Sequence, residues 1–100
     1  MTAAELAPID GVAGVRLRWA REGEAVITAI KMDALSLRSQ VALPPGARVE
    51  GVLVAPAGQR VKMKIHGSRR DEVGLFVIEA RAVDWTRTMR ESVAAQLGEK

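Results

Sequence analysis

Residues 61–66 read Val61-Lys62-Met63-Lys64-Ile65-His66, the cleanest alternation in the chain. Three apolar side chains fall on one face and three basic ones on the other. That period of two marks a half-buried strand. The same period recurs upstream, where Val15, Leu17 and Trp19 alternate with Arg16, Arg18 and Ala20. Glu22-Gly23-Glu24 supplies a turn, so a hairpin follows. Residues 25–32 then form a second strand, rich in β-branched Val26, Ile27, Thr28 and Ile30. Asp33 interrupts it, and Leu35 and Leu37 begin a third strand. Pro44-Pro45-Gly46 makes a firm turn, because proline presets φ and glycine permits φ above zero. Val49, Gly51 and Leu53 share one face of a fourth strand, where Gly51 marks a bulge or a close backbone approach. Pro56-Ala57-Gly58 ends that strand. Residues 67–72 read as a charged loop, and residues 75–83 as the last strand.

At Asp84 the period switches to that of a helix. Asp84 reads as its N-cap. Trp85, Met89, Val93 and Leu97 recur every four residues as an apolar stripe, and Gly98 stands where a C′ residue belongs. The stripe is expected to pack on the strands and seal one side of their core. Six short antiparallel strands and one amphipathic helix make a mainly β domain, a small barrel or a sandwich. It is expected to span residues 15–98. Residues 1–14 are expected to be a partly disordered lead-in, with one helical turn begun by the capping box Thr2-Ala3-Ala4-Glu5.

Composition excludes several classes. One hundred residues is one domain, and a 48% apolar content supports a core. With no cysteine there is no disulfide, thiolate metal site or Cys nucleophile. No apolar run approaches a membrane span, and the N-terminus lacks the basic segment of a signal peptide. A cytoplasmic location is the resulting expectation. The one histidine, His66, has no Ser, Asp or second His at a recognised catalytic or metal spacing. No enzyme, catalytic residue or metal site is therefore expected. The net charge of +3 is spread among acids rather than clustered, and only three residues are aromatic, so a nucleic-acid stacking platform is not indicated.

Two segments carry a family likeness. Ala34-Leu35-Ser36-Leu37-Arg38-Ser39, followed by Val41-Ala42-Leu43-Pro44-Pro45-Gly46-Ala47-Arg48-Val49, resembles the middle of PilZ domains. There a strand ending near Arg-Ser precedes a leucine, a proline-glycine turn and another strand. Residues 61–67 resemble that family's next strand. Ile78-Glu79-Ala80-Arg81-Ala82-Val83-Asp84 resembles its last strand, entering the C-terminal helix. The resemblance covers roughly residues 15–97 and implies a six-stranded antiparallel β-barrel with a C-terminal amphipathic helix. It also implies bacterial signalling, in which many members bind cyclic di-GMP. They do so through an Arg-x-x-x-Arg motif before the first barrel strand and an Asp/Asn-x-Ser-x-x-Gly motif between the second and third. Guanidiniums stack on guanine and fork onto phosphate, which is why that chemistry uses arginine.

This sequence departs from both motifs. Residues 1–15 hold no Arg or Lys, and no two of Arg16, Arg18 and Arg21 are four apart. The second motif aligns with Ala29, Lys31 and Ala34, with Asp33 one residue before the glycine place. The expectation is a degenerate PilZ-like regulatory adaptor that acts by contact with a protein partner, with weak or no cyclic di-GMP binding and no other cofactor. If cyclic di-GMP does bind, Arg16, Arg18, Arg21, Lys31 and Asp33 are the candidate set, a noncanonical arginine site. Arg69 and Arg70 are candidates for a partner-binding loop. A small nucleic-acid-binding barrel, resting on outward Arg16, Arg18, Lys62 and Lys64, ranks below these.

Overall fold

Val61, Met63 and Ile65 do point inward, each at most 1% exposed, while Lys62, Lys64 and His66 face solvent. A computed structural model describes residues 8–9, 11–54 and 58–98. Six strands are arranged as β1 (Val15–Trp19), β2 (Glu24–Lys31), β3 (Ala34–Ser39), β4 (Arg48–Leu53), β5 (Arg60–Arg70) and β6 (Phe76–Val83), followed by helix α1 (Arg87–Gln96). They close into an antiparallel barrel in the order β1-β2-β3-β6-β5-β4, with β4 pairing back onto β1. The barrel, not the sandwich, is what the alternation builds. Closure leaves no unpaired sheet edge.

The core is one cluster inside the barrel, with Leu17, Ile27, Leu37, Met63, Ile65 and Ile78 wholly buried. Two bulges keep apolar residues inward. One lies between Ile27 and Ala29, so Ile27 and then Ile30 point in, and Thr28 donates its hydroxyl to the Ser36 carbonyl at 3.2 Å. The other lies between Ile65 and Gly67. Gly51 marks a close approach rather than a bulge. A Cβ there would sit 2.8 Å from Leu17 Cδ1 and 2.9 Å from the Arg18 carbonyl oxygen.

Two expectations are corrected. Residues 67–70 are not loop: after the His66 bulge, β5 resumes pairing with β6 from Gly67↔Glu79 to Arg70↔Phe76. Arg69 and Arg70 therefore stand on a strand. The turn is residues 71–75, where Asp71 Oδ1 accepts from the N–H groups of Val73 and Leu75 at 2.9 and 3.0 Å. Gly67 and Ser68 suggested a loop because both are poor strand formers, and ladder pairing with β6 overrides that preference. The helix is capped by Thr86, not Asp84. The Thr86 hydroxyl accepts from Met89 N–H at 3.1 Å, while Asp84 turns the chain at a φ of 60°.

Trp85 and Val93 join the barrel core, with Met89, Ala94 and Leu97 packed partly against it, so the apolar stripe faces the barrel as expected. Ile9 of the lead-in is 2% exposed. The helical turn read at residues 2–5, and most of the turn at 56–58, lie outside the described residues. No described helix is long and apolar enough to cross a membrane.

Candidate functional site

The two ends of the barrel are finished differently. At the helix end, Trp85 caps the core and its indole N–H donates to the Lys62 carbonyl at 2.8 Å. Arg90 Nη1 holds Asp33 Oδ1 at 2.8 Å, tying α1 to the β2–β3 hairpin. At the other end, the mouth, Trp19 fills the core and donates to Ser39 Oγ at 3.0 Å. That hydroxyl also accepts from Val41 N–H at 3.1 Å and donates to the Val41 carbonyl at 2.7 Å. Ser39 is the one buried polar residue of the described barrel, and these bonds satisfy it.

The β3–β4 segment, residues 40–47, crosses the mouth. Its base is clamped by Glu24 N–H donating to Gln40 Oε1 at 2.9 Å and Gln40 N–H donating to the Glu24 carbonyl. Its far side is fixed by the Pro44–Ala47 turn, with Gly46 at a φ of 87° and its N–H given to the Ile65 carbonyl. Between this segment and the β1–β2 turn lies a groove of about 550 Å³. Trp19, Val41, Leu43, Ala47 and Val49 form its floor, and Arg21, Glu22, Arg48 and Glu50 its rim. On the other flank of the same segment, Arg69, Arg70, Ser68 and Phe76 face Leu43 and Pro44 across a hollow of about 390 Å³.

The candidate residues read from the sequence are thus regrouped. Arg16 and Arg18 lie on the outer face of β1 and converge on Glu24. Arg16 Nη2 is 2.8 Å from Oε1, and Arg18 Nε is 3.6 Å from Oε2. Arg21 stands past the end of β1, on the groove rim. Lys31 and Asp33 lie at the helix end, beside Arg87, Arg90 and Glu91. Arg18 is level with Glu24, and Lys31 is seven residues further along β2, roughly 20 Å away. The structure does not bring the five residues together. It brings Arg21 to the same mouth as Arg69 and Arg70, a grouping that sequence distance hides.

The residues that sequence reasoning missed are Leu43, Ala47, Arg48 and Glu50 of the groove. Their only signal was the adjacent Pro-Pro-Gly turn. Among the described residues, no group of three or more His, Asp and Glu is placed to hold a metal ion. No family model, curated protein or solved structure matches the chain.

Proposed function

We propose that this domain is a PilZ-like bacterial regulatory adaptor that works by binding another protein at its mouth, with cyclic di-GMP bound weakly or not at all. The observation that carries the reading is the make-up of the 550 Å³ groove. An apolar floor ringed by two cations and two carboxylates is the pattern of a small protein interface, a dry centre within a polar rim. A dinucleotide site needs the opposite balance, with uncompensated arginines turned toward phosphate. Here Glu24 already draws on Arg16 and Arg18. The groove suits an apolar side chain, such as leucine or phenylalanine, carried on an exposed segment of the partner.

The test is a photo-reactive residue placed at Glu22 or Ala42, both exposed at the groove, and at Gln59 as a control away from it. In the source cells, positions 22 and 42 should give the same discrete protein adduct and position 59 none. Equal labelling from all three positions, or adducts from none, would count against the proposal.

A further inference from the structure

The strand register aligns cations that the sequence scatters. Arg48 pairs with Lys64, Lys64 with Arg81, Arg81 with Ala34, and Ala34 with Lys31. One row across five neighbouring strands therefore carries four cations and an alanine, all exposed on the outer face. The row takes four inter-strand steps of about 4.8 Å, roughly 19 Å in all. It runs from the mouth at Arg48 to the helix end at Lys31.

None of these four cations forms an ion pair with a described carboxylate, whereas Arg16, Arg18, Arg38, Arg87 and Arg90 all do. Like charges directly opposite one another on adjacent strands destabilise a sheet. Three in succession, at Arg48, Lys64 and Arg81, are a cost that folding does not require.

We infer that this row is a docking surface for an acidic segment of a partner protein. It rests on the protein-contact reading but uses a surface outside the groove, sharing with its rim Arg48 and the flanking Glu50. Three features choose an acidic polypeptide. The row is narrow and fenced by carboxylates, Glu50 on one side, opposite the further cation Lys62, and Glu79 on the other, each two residues along its strand from a cation of the row. They stand about 7 Å from it. A single file of Asp or Glu side chains fits between those fences, while the two phosphate strands of a duplex would meet them. The row also curves around a closed barrel, which a flexible segment follows and a rigid duplex does not. Finally, Trp19 and Trp85 are buried and Phe76 is half-buried at the mouth, so no aromatic ring stands on this face to stack a base.

The probe is a fluorescein-labelled peptide of glutamates, followed by anisotropy at low salt against the intact protein. Lys64→Glu/Arg81→Glu should weaken binding at least tenfold. Arg18→Glu/Arg70→Glu, the same change in net charge away from the row, should change it less than twofold. The milder Lys64→Gln/Arg81→Gln should also weaken binding while raising the thermal midpoint, since it relieves the like-charge row. Equal losses in the two Glu variants would reduce the effect to net charge and overturn the inference. Tighter binding of a short DNA duplex than of the peptide, sensitive to the same row, would overturn it in favour of nucleic acid. The crosslink at residues 22 and 42 reads the groove separately, so failure of the row is told apart from failure of the protein-contact reading.

Discussion

Two tryptophans finish the two ends of this barrel, and they are equally buried, each 7% exposed. Their surroundings differ. Trp85 gives its N–H to a main-chain carbonyl and is covered by a helix. Trp19 gives its N–H to a side-chain hydroxyl and is covered by a crossing segment that leaves a groove beside it. A main-chain partner is present whatever the residue, so the helix end is fixed by backbone and packing. The mouth depends on one serine. An end built for closure tolerates change in its polar residues, whereas an end that stays partly open has its shape specified by them.

The largest effect should come from the rings themselves. Replacing either tryptophan by alanine should cost about 3–5 kcal/mol, a large part of a small domain's stability. The two losses should differ in reach. Trp19→Ala should lower protection against hydrogen exchange throughout the strands. Trp85→Ala should release α1 first, so helical amides exchange while the β1–β2 and β3–β6 ladders stay protected. Identical exchange patterns in the two variants would erase the distinction between the ends.

Ser39→Ala comes next. It leaves the Trp19 indole N–H and the Val41 N–H without their acceptor, a loss of about 1–3 kcal/mol visible as a lower urea midpoint. No substitution of Lys62 can do the equivalent at the other end, because its carbonyl belongs to the chain. At the helix end, Thr86→Ala should cost about 1 kcal/mol through the lost cap, read as a lower thermal midpoint. The smallest effect belongs to Asp33→Asn. Its ion pair with Arg90 is more than a third exposed on both sides, so the change should stay below about 1 kcal/mol. It should vanish in about 1 M salt, where the screening length is about 3 Å. A large, salt-insensitive loss would mean that the ion pair, not the packing, holds the helix.

Much of this fold was legible in residues. Alternation at 15–19 and 61–65 placed strands, and the four-residue stripe at 85–97 placed the helix against the barrel. What escaped was set by partners far along the chain. β5 continues through Gly67 and Ser68 because β6 is there to receive them, a fact that no local propensity encodes. Thr86 displaced Asp84 as cap because Asp84 is spent on the left-handed bend that aims the helix. The site was less legible still. Arg21, Arg48 and the Arg69-Arg70 pair come to the mouth from three separate stretches of chain. The cation row exists only through register, which a list of positively charged residues does not contain. The nucleotide candidates failed to converge for the same reason. Arg18, paired with Glu24 at the start of β2, and Lys31, at the far end of β2, are near in sequence but stand a strand length apart.

The reading of this domain as a protein-contact adaptor is tested most directly by titrating cyclic di-GMP into the labelled protein and following backbone amides. The account predicts no saturable shifts at residues 16–21 or 29–33 up to submillimolar ligand. Saturable shifts in both segments at micromolar ligand would contradict it, for they would show the barrel gathering at one site the residues that this structure holds roughly 20 Å apart.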